Sequence, residues 1–200
     1  GVIVRQKTTE QSHICIGMPG LAINDLLMYP LILFNNLLGG SMSSRLFQEI
    51  REARGLAYSV FSYHTSYRET GHFTIYAGTA PKQVDEVIDI TLNLLSDLKQ
   101  NGISGQELIK SKEQLKGSLM LSLESTNSRM SRIGKNELLL RKHLSLDEII
   151  ALIDNVTLDH VKQVIDYVLS KPFSFAMVGP SDQLPLSFKQ DTFTRKVTEG

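Results

Sequence analysis

Apolar and polar residues alternate along Ser12-His13-Ile14-Cys15-Ile16-Gly17, a period of two that predicts a strand with Ile14 and Ile16 on one face and His13 and Cys15 on the other. Residues 1–11 are mostly polar and predict a linker or an edge strand. Met18-Pro19-Gly20 turns the chain, and Asn24 or Asp25 can cap a helix reaching Leu38. Pro30 inside that helix implies a kink, or a start later than the cap suggests. Gly39 and Gly40 stop it, and the cluster Ser41 to Ser44 offers N-cap oxygens to a second helix. That helix would bury Leu46, Phe47, Ile50 and Ala53 on one face, with Arg51 at the border and Glu49 and Glu52 toward water. Gly55 then lets the chain reverse into a strand whose second residue is Tyr58.

Ala57 to Tyr67 alternates aromatic and small residues, Arg68-Glu69-Thr70-Gly71 turns, and His72 to Ala77 returns as the antiparallel neighbour. An even-numbered hairpin loop would put His64 and His72 on opposite faces. Helical spacing follows at Val84, Val87, Ile88, Thr91, Leu92, Leu95 and Leu98, closed by Gly102. Ser104 to Glu107 and Ser145 to Glu148 read as capping boxes, opening one helix through about Leu123 and a short one to about Asp154. Ser125 to Ser128 interrupts, with a further helix to Leu140 or beyond. Thr157 caps a last helix with Leu158, Val161, Val164, Ile165, Val168 and Leu169 as its buried stripe, Lys171-Pro172 ends it, and Phe173 to Val178 is a final strand. The order is strand, two helices, hairpin, four or so helices, strand. It predicts an α+β two-layer sandwich, a small mixed or antiparallel sheet with helices on one face. Ile14, Ile16, Val60, Ile75 and Val178 are its expected core; residues 12–180 form the domain and 181–200 a polar tail.

Composition narrows the functions. The 200 residues are 42% hydrophobic, enough for a sizeable core, and 21 basic residues balance 21 acidic ones. Zero formal net charge and no basic stripe argue against nucleic acid as partner. The apolar run Leu26 to Leu38 is interrupted by Pro30, Asn35 and Asn36, which argues against a membrane span. Cys15 is the only cysteine, so no intrachain disulfide can form, and a reducing, cytoplasmic location is expected. A first residue that is glycine, with no signal peptide, suggests a piece of a longer polypeptide.

Candidate chemistry is sparse. The five histidines, at 13, 64, 72, 143 and 160, are scattered. Asp159, His160 and Glu148 read as charges at helix N-termini rather than ligands. There is no Gly-x-Ser-x-Gly elbow, Walker loop or dinucleotide fingerprint. What remains is Arg51 near a helix end and Tyr58 near a strand start, a guanidinium fork and a phenol suited to holding a peptide carbonyl as it gains charge. Spacing alone leaves two readings open, since such an arginine also answers a helix dipole and such a tyrosine also packs with a wet hydroxyl.

The run LGGSMSSRLFQEIREARGLAYSVFS resembles the glycine-rich loop and arginine/tyrosine segment in the C-terminal half of the M16 (pitrilysin-type) zinc peptidases, the family of mitochondrial processing peptidase. The likeness extends from about Ser12 to Pro180 and includes RETGHFTIYAGTAP and FSFAMVGP. It implies that an arginine seven positions before a tyrosine, here Arg51 and Tyr58, reaches toward a zinc site in the other half; Arg54, four before the tyrosine, fits less well. The family's His-x-x-Glu-His motif is absent here, so the resemblance puts the zinc in the complete enzyme and no metal or cofactor in this chain. The isolated chain is expected to be inactive. The implied role is the substrate-binding, closing half of a bacterial-type processing protease, a metalloprotease and hydrolase. Its partners would be an N-terminal M16 half, on the same polypeptide or a separate subunit, and a peptide substrate, with a homodimer of the full protein allowed. The alternative is a catalytically inactive M16-like scaffold.

Overall fold

The computed structural model describes residues 1–186. Five strands form one mixed sheet: β1 (Val2–Gln6), β2 (Ser12–Gly20), β3 (Ala57–Ser66), β4 (Gly71–Thr79) and β5 (Ser174–Gly179), in the order β1-β5-β2-β4-β3. β1 runs parallel to β5 at the sheet's edge, and the other pairings are antiparallel. The period-two pattern of β2 is realised in full, with Ile14, Ile16 and Met18 buried and His13, Cys15 and Pro19 half-exposed.

The helices lie on the buried side. α1 (Met28–Leu38), α2 (Val84–Asn101) and α6 (Leu158–Val168) pack against β3, β4 and β2 respectively, and α3 (Gly105–Ser122) and α5 (Leu146–Asp154) pack behind α1. Five α-helices thus follow the hairpin, the fifth being α4 (Thr126–Lys135). Pro30 stands in the first turn of α1, where its missing N–H is no loss, so the helix starts late and is not kinked there. The two serine capping boxes form as read, and Thr157 makes a third with His160, whose Nδ1 accepts from the Thr157 amide at 3.3 Å. No helix among the described residues is long and apolar enough to cross a membrane.

Several details differ from the sequence reading. Met18-Pro19-Gly20, expected to turn the chain, instead completes β2 and pairs with Phe73, His72 and Gly71 of β4. Leu158, expected in the buried stripe of α6, is exposed at the helix start. Val178 sits opposite His13 on the outer face, so Phe175 and Met177 are the core residues of β5. The helix after the glycine pair is a π-helix over Phe47–Glu52, whose i→i+5 bonding advances each residue by less than an α-helical step. Leu46 and Ile50 stay buried, but Ala53 is carried round to solvent. The serines do not cap that helix, and the Ser44 hydroxyl is buried without a hydrogen-bond partner. The polar tail expected over 181–200 lies outside the described residues from 187 onward.

Candidate functional site

The glycine pair fixes where the π-helix stands. Gly39 and Gly40 both donate to Asn35 O, at 3.0 and 2.8 Å, and Gly39 lies flat against the middle of β3. A Cβ at Gly39 would fall 2.4 Å from Ser62 N, a separation only glycine permits. Ser62 N donates to Gly39 O at 3.1 Å, and its hydroxyl donates to Asn35 Oδ1 at 2.8 Å. The far side of the loop is held by Arg45, which forks onto Glu107 at 2.9 and 3.1 Å and reaches Asp97 at 2.8 Å. Burial pushes the Glu107 carboxyl up, but hydrogen bonds from Ser104 and the Arg45 charge outweigh it and hold the pKa below the ordinary value.

From that anchored start the π-helix delivers Arg51 to an exposed position and ends at Gly55, whose φ of +63° is the left-handed conformation glycine tolerates. Gly55 N donates to Arg51 O and Leu56 N to Ile50 O, closing the helix as the chain reverses into β3. A β-bulge follows. Ala57 pairs with Thr79 and Ser59 with Gly78, so Tyr58 has no opposite number in β4. A bulge re-aims the side chain it inserts, and the Tyr58 ring stands 76% exposed.

Arg51 and Tyr58 therefore meet. The guanidinium carbon of Arg51 lies 5.5 Å from the centre of the Tyr58 ring and 5.0 Å from that of Phe47, a cation held between two aromatic faces. Arg51 makes no ion pair among the described residues, whereas Arg54 is taken by Glu49 at 2.6 Å. Phe47 and Arg45 are the two members the sequence reading passed over. Phe47 stands four before Arg51, a spacing that stacks side chains on one helix flank, although the sequence pattern alone expects it in the core. Nothing about Arg45 in the sequence points to partners 52 and 62 residues away.

The histidines stay apart. His13 shares a 2.7 Å hydrogen bond with Tyr76, His143 one of 2.8 Å with Glu137, and His160 serves its cap. His64 pairs with Phe73 and His72 with Thr65, which places the two on opposite faces. The His64 Nδ1 is buried with no hydrogen-bond partner, and burial lowers its pKa. Among the described residues no three His, Cys, Asp or Glu side chains come together as a metal site. The described residues offer no ligand set for a zinc ion.

Comparison with known proteins adds identity to this geometry. A family model described as "Peptidase M16 inactive domain" matches residues 1–115. The "Uncharacterized zinc protease YmxG" of Bacillus subtilis is 51% identical over 92% of this chain and 45% of its own. An "uncharacterized zinc protease" of Streptomyces coelicolor is 44% identical over 87% of this chain and 38% of its own. The crystal structure of a peptidase M16 inactive domain from Pseudomonas fluorescens superposes with a TM-score of 0.76 at 23% identity, covering 92% of this chain and 44% of that one. The chain thus spans less than half the length of the curated relatives it matches.

Proposed function

Because the chain belongs to the M16 peptidase inactive-domain family, we propose that it is the substrate-binding, closing half of a zinc-dependent endopeptidase, with the zinc site in an N-terminal half. One observation carries this reading: the Arg51 guanidinium over the ring of a Tyr58 that a bulge turns out into solvent. In that arrangement the ring faces of Phe47 and Tyr58 restrict the guanidinium, and its N–H edges stay free to donate to a peptide carbonyl. The phenol donates to the oxygen that gains charge as the carbonyl is attacked, a donor set in place before the reaction. No step of the chemistry passes through a metal in this domain, which contributes binding, orientation and hydrogen bonds. The peptide substrate and any homodimer of the full protein belong to the same proposal.

The test is Tyr58→Phe in the peptidase with both halves present. Removing one oxyanion donor lowers turnover about a hundred- to a thousandfold, with zinc content and folding unchanged. Arg51→Lys is also damaging, because a point charge cannot stack between rings and fork onto a carbonyl. Wild-type turnover in both variants would leave the inactive scaffold as the reading.

A further inference from the structure

The hairpin formed by the end of α3, α4 and the π-helix that continues it (Asn136–Leu140) carries an apolar side that faces away from its own domain. Met120, Leu121, Met130, Ile133, Leu138 and Leu139 are between 43% and 77% exposed. No residue of α4 is buried, and its main neighbour is the π-helix after it. Yet α4 is amphipathic. Met130 and Ile133 share one side, and Arg132 and Lys135 occupy the other. Arg132 is half-buried and close enough to Tyr29 of α1 for its charge to oppose the effect of burial on that phenol. A helix docked on its own domain buries its apolar side; this one turns Arg132 inward instead.

We propose that the outward side of this 120–139 hairpin is the seat of the zinc-bearing half, which covers Met130, Ile133 and Leu138. This rests on the reading of the chain as one half of a two-half peptidase. Two facts select that occupant. The curated relatives run to more than twice the length this chain covers, so each carries a further stretch about as long as this domain that needs a surface to pack on. Residues 123–144 also hold Arg129, Arg132, Lys135, Arg141 and Lys142 against only Glu124 and Glu137. A second copy meeting this face through a twofold axis would set cation against cation, whereas a different surface can supply carboxylates.

The experiment places the photo-crosslinker benzoylphenylalanine at position 130, and in a separate variant at 138, of the peptidase with both halves. Both sites are exposed, so the substitutions leave the core alone. The expected product links each position to the zinc-bearing half of the same molecule, read by mass spectrometry of the digest. Ile133→Glu in the same protein should speed amide exchange over residues 126–140 by roughly tenfold or more, with α2 unchanged. Links only to a second copy, links only to added anionic lipid vesicles, no link at either position, or unchanged exchange would each overturn the proposal. Intact mass and zinc content of the purified protein separate the two failures. A missing zinc half sinks the functional reading, whereas a zinc half that is present but never linked sinks only this surface.

Discussion

Replacing Gly39 by alanine tests how the candidate site is held. The added Cβ would stand 2.4 Å from Ser62 N, 2.7 Å from its Oγ and 2.9 Å from its Cβ, and the first of these is backbone that cannot rotate away. The loop must lift from β3, so the bond from Ser62 N to Gly39 O is lost and that from the Ser62 hydroxyl to Asn35 is weakened. Overfilling a packed contact typically costs about 1 to 3 kcal/mol, and each hydrogen bond contributes about 1 kcal/mol net. The expected loss is about 2 to 4 kcal/mol, measured as a shift of the denaturation midpoint at constant m-value. Gly134→Ala is the control. Nothing lies within 4 Å of its Cβ position inside α4, and an alanine there should be neutral or stabilising by up to about 1 kcal/mol. Equal stability of Gly39→Ala and the parent would refute the close approach and, with it, the account of how Arg51 is set against Tyr58.

Two further outcomes follow from titratable groups. His64 has a lowered pKa in the folded chain because its ring is buried. Its contribution is therefore present above the unfolded value of about 6.5 and is lost as pH falls toward the folded pKa; His64→Phe should flatten the slope of stability against pH in that window. Glu107 is likewise depressed, so its contribution is complete above the unfolded value of about 4.3 and disappears as pH falls through the folded pKa. Arg45→Ala should cost about 1 to 2 kcal/mol at neutral pH, a figure reduced because the pair is partly exposed. It should also move the acid-unfolding midpoint upward.

Much of the sheet could be read from the sequence because burial on one face writes itself as alternation, as in Ile14, Ile16 and Met18 of β2. The bulge could not, since Ala57-Tyr58-Ser59-Val60 alternates size without a break. Its trace is that Ala57 and Val60, three apart, are both buried. Val178 stands in the expected core, but the phase of β5 is set by the buried Phe175 and Met177, continuing from Phe173 before the strand. Capping boxes were legible because they are local. The π-helix was not, because Leu46 and Ile50 suit either turn and only the outward swing of Ala53 tells them apart. At the site, the seven-residue interval between Arg51 and Tyr58 was visible. Their shared use of Phe47 was hidden, because an aromatic on a helix flank carries the same signal whether it faces the core or a cation.

The contact of Gly39 with Ser62 also limits what can join the sheet. β3 is its last strand, and such a strand ordinarily offers its main-chain groups to any extended segment that comes alongside. Here the Ser62 amide in the middle of the strand already donates to Gly39, and the glycine turn occupies the place a neighbour would need. A peptide lying near Tyr58 cannot run the length of β3 as a sixth strand. Under the proposed function, a bound peptide would take most of its main-chain partners from another surface, and this domain would hold it mainly through side chains such as Arg51 and Tyr58.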